Sequence, residues 1–251
     1  MIKGIDRFRQ HFKIFSDQYV LIGGSACVLA MEEFGLEFRA TKDLDIVLCV
    51  ELLTTDFVKS FWEFIREGGY SIWERSEGEK QYYRFQKPSD SDFPVMLELF
   101  SKTPDSLNID DESHLTPIPM KDDVSSLSAI LLDETYYHWI HSGKKIIDDI
   151  NIVDALHLIP LKARAWLDLT ERKDTGEKID SRSIKKHRND VFRLFQLLSP
   201  EMRQDIPELI KKDMKSFIDI AFHEDIDLKN LGIVGFKKEE ISHHLKGIFG
   251  V

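Results

Sequence analysis

The sequence predicts an α+β fold, with a mixed sheet and flanking helices in the N-terminal half followed by a mainly helical C-terminal half. Up to about residue 122, short apolar runs of strand length alternate with segments whose apolar residues recur at helical spacing. After about residue 150, most apolar residues recur every three or four positions, as on one face of a helix. We therefore expect an α/β domain over residues 1–150 and a helical domain over residues 151–251.

The first elements surround an apolar strand at Tyr19–Ile22. Residues 3–16 carry apolar side chains at spacings of three and four, which predict a helix that covers this strand. Gly23-Gly24-Ser25 follows directly, and Ala26–Phe34 has the length of a helix rather than a strand. A second strand is expected to begin with Asp43-Leu44-Asp45.

One helix and three strands are expected next. Thr54 or Thr55 can cap a helix that runs to about Arg66, and Gly68-Gly69 would end it. Turn-forming residues separate three strand-like runs, Tyr70–Trp73, Gln81–Gln86 and Pro94–Phe100.

The remaining elements become progressively more helical. Residues 101–125 are expected to form a loop with one strand near His114–Ile118, and further strands are expected at Ser128–Leu132 and Ile147–Val153, with a helix at Asp133–His141 between them. Asp154 would cap an amphipathic helix through about Thr170, and Ser181 would cap the next, which ends at Ser199-Pro200. The last helices are expected at 200–212, 213–223 and 237–248.

Composition excludes several classes of protein. The net charge of −10 argues against a generic nucleic-acid coat protein and against binding to an anionic membrane surface. No apolar stretch is long enough to span a bilayer, and the charged N-terminus lacks the apolar core of a signal peptide. Cys27 and Cys49 both lie in apolar runs, typical of buried, reduced cysteines. We expect a soluble, cytoplasmic protein without a membrane partner.

The stretch around the first two strands carries the most informative chemistry. Glycines at a strand-to-helix turn let backbone N–H groups approach an anion closely, and the helix N-terminus adds a positive dipole. Asp43 and Asp45 alternate with Leu44, so both carboxylates should point to one face of the sheet. Two hard oxygen ligands beside a phosphate cradle suit Mg²⁺ or Mn²⁺ with a bound nucleotide. Read alone, Gly23-Gly24-Ser25 is also compatible with a tight turn.

Glu98 is a lone carboxylate between Leu97 and Leu99 in an otherwise apolar strand. A charge in such a strand is costly unless it has a partner such as a metal ion. A solvent-facing glutamate on an edge strand is the alternative. Beside Asp43 and Asp45, we interpret Glu98 as a third acidic ligand or a base.

These residues resemble the nucleotidyltransferase superfamily whose prototype is DNA polymerase beta, with its glycine turn, paired acids and third acid. The run Arg39-Ala40-Thr41-Lys42-Asp43-Leu44-Asp45 is similar to a motif of the AbiEii/AbiGii toxin branch. The segments LIPLKARAWLDL, with Lys162, and IKKHRNDVFRL, with Lys186, His187 and Asp190, resemble the lysine and aspartate motifs of that branch. Residues 200–251 carry none of this resemblance.

The resemblance implies a nucleotidyltransferase fold and a set of roles. Amides around Gly23, Gly24 and Ser25, with the Ser25 hydroxyl, would hold the phosphates of an NTP. Asp43 and Asp45 would bind Mg²⁺, and Glu98 would share a second ion or accept a proton. Arg39 and Lys162 would neutralise phosphate charge, and Asp190 would join the catalytic set.

Each residue of the basic side also has a plainer interpretation. Arg39 could be a surface arginine, and Lys162 could extend its ammonium from an apolar helix face to solvent. Asp190 could form a helical salt bridge with Lys186, and His187 could be a core histidine. Between Lys162 and Arg193 the sequence holds ten basic and six acidic residues, either a solvated face or a wall for triphosphate or RNA.

Three functions follow from these residues. The first is transfer of NMP from an NTP to an acceptor hydroxyl, for which the resemblance implies a toxin of a toxin–antitoxin or phage-defence pair, tRNA as acceptor and a cognate antitoxin as partner. The second is modification of an aminoglycoside or lincosamide antibiotic, since the acidic chain suits a cationic acceptor. The third, a catalytically silent nucleotide-binding or interaction module, is disfavoured because all three acidic positions are filled.

Overall fold

The computed structural model describes residues 2–49, 51–72, 83–100 and 133–251. The strands expected at 114–118 and 128–132 lie outside these ranges. The strands in the described residues are β1 (Tyr19–Ile22), β2 (Asp43–Leu48), β3 (Ser71–Ile72), β4 (Tyr83–Gln86), β5 (Met96–Phe100), β6 (Lys144–Ile147) and β7 (Ile150–Val153). They form one sheet in the order β3-β4-β5-β2-β1-β7-β6.

The sheet is mixed. β2 pairs with β5 and β1 pairs with β7 in parallel, whereas β1 and β2 are antiparallel. The helices of the same ranges are α1 (Ile5–Phe12), α2 (Gly23–Glu33), α3 (Thr55–Gly68), α4 (Glu134–Ser142), α5 (Ala155–Asp174), α6 (Ser181–Phe195), α7 (Glu208–Ala221) and α8 (Lys238–Phe249), with 3-10 turns at Lys13–Gln18 and Lys229–Leu231. The predicted fold class, a mixed sheet with flanking helices followed by a helical region, is confirmed.

Side-chain caps explain why several helices begin where they do. Thr54 accepts a hydrogen bond from the Phe57 amide and so caps α3, as predicted. Asp154 does the same for α5 through the His157 amide. The cap of α6 is Asp180 rather than Ser181, because the Asp180 carboxylate accepts from the Arg182 amide and Ser181 is already helical.

The structure corrects four other predicted elements. The strand expected at Ile147–Val153 is the second half of a hairpin, since Asp148 and Asp149 adopt φ values of 47° and 62° and turn the chain between β6 and β7. Helices expected at 200–212 and 213–223 are one helix, α7, which starts after Pro207. The helix expected at 3–16 gives way to a 3-10 turn after Phe12, and α2 begins three residues earlier than expected.

The core lies on the sheet between two groups of helices. Aromatic rings of α1 and α3 pack closely, with Phe8, Phe12 and Phe64 in mutual contact. Every residue from Gly23 to Met31 in α2 is buried, since this helix contacts β1, β2 and β7 as well as α5 and α6. The burial explains why the sequence of α2 is apolar on all sides.

The segment that follows α6 packs back onto the helical region. Trp166 of α5 meets Phe217 of α7 edge to face, with ring centroids 5.4 Å apart. The Tyr136 hydroxyl of α4 donates to Asp213 of α7 at 2.7 Å. In the described ranges, regular structure after Val153 is helical, and no helix is long and apolar enough to cross a membrane. The domain boundary at residue 150 stays a prediction.

Candidate functional site

Three carboxylates lie on one face of the two central parallel strands. The register places Asp45 of β2 directly beside Glu98 of β5, and Asp43 beside Met96. Because side chains alternate along a strand, Asp43 shares the face of Asp45 and Glu98. The structure thus brings together the three acids that the sequence analysis selected.

The acids strongly perturb one another. Burial, the charge of Glu98 and a hydrogen bond between the two carboxyl groups raise the pKa of Asp45 to about 7. Burial and the charge of Asp45 also raise the pKa of Asp43. Arg84 donates from Nε to Oε1 of Glu98 at 2.5 Å. The arrangement concentrates negative charge where it is poorly solvated, a setting that favours a bound proton or a cation.

Gly23 and Gly24 place the start of α2 against this acidic set. Gly23 has φ +66°, and a Cβ there would lie 1.7 Å from Oδ2 of Asp45. A Cβ on Gly24 would lie 2.7 Å from Oγ1 of Thr41. Ser25 is fully buried and donates its hydroxyl to the Ile22 carbonyl at 3.1 Å. Gly23 is therefore required for close packing on β2, Gly24 lies against Thr41 just before that strand, and the Ser25 hydroxyl bonds to the backbone.

Asp190 of α6 lies at the centre of the basic side chains. Arg39 donates to it twice, from Nε to Oδ1 at 2.9 Å and from Nη2 to Oδ2 at 2.7 Å. Lys162 Nζ lies 3.3 Å from Oδ2, and Arg193 Nη1 lies 3.6 Å from Oδ1. Lys162 is only 1% exposed, which excludes the alternative of an ammonium extended to solvent. A buried lysine of this kind requires the anionic partner that Asp190 supplies.

Two further residues of α6 stand beside this cluster. Partial desolvation and the charges of Arg39 and Lys162 lower the pKa of Lys186. His187 is buried, its Nδ1 has no hydrogen-bond partner among the described residues, and burial with the charge of Lys162 lowers its pKa well below the usual range. Asp190 pairs with Arg39 and Lys162 rather than forming the helical salt bridge with Lys186 that was the simpler alternative.

The acidic and basic sets face one another closely enough to interact. Lys162 and Lys186 oppose the effects of burial and Glu98 on Asp45, since both lower the pKa of its carboxyl. The chain therefore joins carboxylates from the sheet to cations from α5 and α6 in one site, a combination that suits a metal-bound polyphosphate.

Sequence reasoning missed two cationic residues of the site, Arg84 and Arg193. Arg84 stands opposite Glu98 in the antiparallel pairing of β4 and β5, and an alternating pattern in β4 could have suggested a cation on that face. Arg193 follows Asp190 by three residues on α6, a spacing at which helical side chains meet. Both guanidinium groups compensate buried carboxylates.

The donor chemistry of the acidic set fits a divalent cation, because carboxylate oxygens are the ligands that Mg²⁺ and Mn²⁺ prefer. In the part of the chain that the structure describes, no three His, Cys, Asp or Glu side chains are arranged as a ready metal site. Instead, Asp45 and Glu98 are direct neighbours in the register of the parallel strands, with Asp43 on the same face.

The similarity of this chain to known proteins is one of structure and not of sequence. No protein-family model matches the chain, and no curated protein matches it. The crystal structure of an antigenic nucleotidyltransferase-like protein from Paracoccidioides brasiliensis is similar over 97% of this chain and 94% of that chain, with a TM-score of 0.42 and 14% sequence identity. The function of the site is therefore inferred from its own side chains.

Proposed function

We propose that the chain is a nucleotidyltransferase that moves a nucleoside monophosphate from an NTP to an acceptor hydroxyl. The observation that carries this proposal is the pairing of Asp45 with Glu98 across parallel strands, with Asp43 on the same face. The half-buried Arg39 and the buried Lys162 lie close enough to Asp45 for their charges to interact with it. Acids that can hold a divalent cation and cations that can hold phosphate are the two parts that nucleotidyl transfer needs.

In this proposal, Asp43, Asp45 and Glu98 would hold Mg²⁺ or Mn²⁺, which would neutralise phosphate charge and align the triphosphate when bound. Arg39 and Lys162 would stabilise the negative charge that develops on the phosphate oxygens during displacement. Backbone N–H groups at Gly23 and Gly24 would contribute at the positive end of α2.

The pairing of Asp45 with Glu98 also suggests how a proton is handled. As the acceptor oxygen attacks the α-phosphorus, the bond from that phosphorus to the bridging oxygen breaks and pyrophosphate leaves. The acceptor hydroxyl loses its proton in this step, and a carboxylate on this face is suited to accept it. Glu98 is the candidate, because it lies directly beside Asp45 in the register of the two parallel strands and on the same face.

The acceptor is a finer proposal. The likeness of the Arg39–Asp45 run and of the segments around Lys162 and Asp190 to the AbiEii/AbiGii branch supports a toxin that modifies tRNA and is neutralised by an antitoxin protein. The net charge of −10 favours a different acceptor, a cationic antibiotic of the aminoglycoside class.

A labelling experiment distinguishes these acceptors. The protein is incubated with each α-labelled NTP, Mg²⁺ and either total tRNA, an aminoglycoside or a lincosamide. Label on tRNA supports the toxin, whereas label only on the antibiotic supports the second acceptor class. No transfer and no metal-dependent NTP binding would contradict the proposed function and favour a silent interaction module.

Two variants test the site itself. Asp45→Asn should lose transfer by a factor of at least about 100 while remaining folded, because it removes a metal-binding oxygen and its charge. Glu63→Gln is the matched control, since Glu63 is an exposed acid on α3. Equal activity in Asp45→Asn and Glu63→Gln would refute the role of the acidic set.

A further inference from the structure

Asp190 has no access to a substrate. None of its side-chain surface is exposed, and its two oxygens contact three cations, Arg39, Lys162 and Arg193. A residue that exchanges a proton with a substrate must come within hydrogen-bond distance of it. Asp190 is instead enclosed by the groups that would themselves meet the phosphates.

The contacts to Arg39 are directional. The guanidinium donates from Nε and Nη2 to different oxygens of Asp190, which fixes the plane of the group as well as its position. Asp190 thereby takes two of the five N–H donors of Arg39. The ring of Phe38 adds cation–π contacts, since the guanidinium carbons of Arg39 and Arg193 lie 5.3 and 5.7 Å from its centroid.

Charge supports the same interpretation. Burial by itself would raise the pKa of Asp190, but the charge of Lys162 and the hydrogen bonds from Arg39 outweigh it and lower the pKa below its ordinary value. Asp190 therefore stays ionised and is a weak base. The ion pairs with Asp190 hold the three cations together. Because three cations surround one carboxylate, the cluster keeps a net positive charge and still attracts an anion.

We propose that Asp190 is a positioning residue, which holds Arg39 and Lys162 in the orientation that presents their charges to the acidic set of the sheet. This inference rests on the proposed function for the identity of the ligand, a nucleoside triphosphate. It changes the role expected for Asp190 from reaction with the substrate to alignment of the cations that bind it.

The hold of Asp190 on Arg39 can be tested by NMR spectroscopy, without a measurement of nucleotide transfer. In a ¹⁵N-labelled protein, the Nε–H signal of Arg39, assigned by its absence in Arg39→Lys, should exchange slowly with water. Asp190→Asn should speed this exchange at least about tenfold, since the charged acceptor is lost. Asp213→Asn is the matched control, because Asp213 is another buried aspartate that pairs with an arginine, Arg164, on the helical region. An Arg39 signal unchanged by Asp190→Asn would overturn the proposal.

Turnover provides the second test, through a double-mutant cycle. Asp190→Asn should lower kcat about 100-fold, the scale of loss expected when a binding group is misplaced by about 1 Å. In an Arg39→Lys background, where the paired hydrogen bonds cannot form, the same change should lower kcat clearly less than 100-fold, because only its effect on Lys162 remains. Independent, multiplicative losses would show that Asp190 does not act through Arg39 and would overturn the proposal.

The two tests separate failure of this inference from failure of the proposed function. If the wild type transfers no nucleotide, the proposed function is refuted. The exchange rate of the Arg39 Nε–H still decides whether Asp190 holds Arg39 in place. Should Asp190→Asn fail to fold by circular dichroism, Asp190→Glu replaces it in the exchange measurement, because it retains the charge and displaces the two acceptor oxygens. An Arg39 Nε–H exchange rate equal to that of the wild type would overturn the inference, and faster exchange would support it.

Discussion

Replacing Gly23 with alanine tests the packing of α2 against the acidic strand. Gly23 has φ +66°, which costs a non-glycine residue about 1–2 kcal/mol. The new Cβ would also lie 1.7 Å from Oδ2 of Asp45, so the carboxylate or the helix must move. Overpacking of this kind costs about 1–3 kcal/mol, and the total loss in the free energy of unfolding should be about 2–5 kcal/mol.

The chain contains a control that isolates the contact from the backbone strain. Gly35 has φ +69°, and a Cβ there would have nothing within 4 Å. Gly35→Ala should therefore lower the free energy of unfolding only by the backbone strain, about 1–2 kcal/mol. Urea denaturation of both variants and the wild type measures the difference.

The same substitution should affect the chemistry. Displacement of the Asp45 carboxylate should reduce transfer in Gly23→Ala even at temperatures where the variant is fully folded, and should leave Gly35→Ala active. If Gly23→Ala were no less stable than Gly35→Ala and equally active, the close approach of α2 to Asp45 would be refuted.

Three other measurements probe the fold. Because burial and Glu98 raise the pKa of Asp45 to about 7, the folded chain keeps a proton that the unfolded chain releases near the ordinary pKa of 3.8. Without divalent cations, the free energy of unfolding should therefore fall as the pH rises from about 4 to about 7, and Asp45→Asn should remove this component; equal pH slopes in urea denaturation would contradict it. Gly143→Ala should lower the free energy of unfolding by about 1–3 kcal/mol, since its Cβ would lie 2.2 Å from Cγ of His157, and an unchanged urea midpoint would disprove that contact. Asp180→Ala should cost about 1 kcal/mol by removing the cap of α6, and a thermal melt identical to that of the wild type would show that the helix starts without it.

Local patterns sufficed to predict much of the fold and half of the site. Alternation in β2 placed Asp43 and Asp45 on one face, and the apolar run after the glycines predicted α2, although that helix begins at Gly23. The sequence indicated that Glu98 belongs with Asp43 and Asp45 as an acid, but not that it lies directly beside Asp45. That register of two parallel strands is set by tertiary packing. The hairpin at Asp148 and Asp149 was missed because these two residues adopt positive φ without the glycine that usually marks such a turn.

The basic half of the site was much less predictable. Arg39 and Asp190 are 151 positions apart, and no local pattern indicates that they form paired hydrogen bonds. Lys162 was notable only as a charge on an apolar helix face. Its complete burial results from the packing of α5 against α2 and α6, which sequence periodicity does not specify.

The distance along the chain between Arg39 and Asp190 has a consequence for biosynthesis. The strands that carry Asp43, Asp45 and Glu98 are synthesised well before α6 emerges from the ribosome. Contacts between residues far apart in the sequence form late in folding. A nascent chain released before residue 190 would carry the acidic side chains and Arg39 without the anion that orients that arginine. The order of translation thus keeps the site unassembled until the helices of the second half have been made.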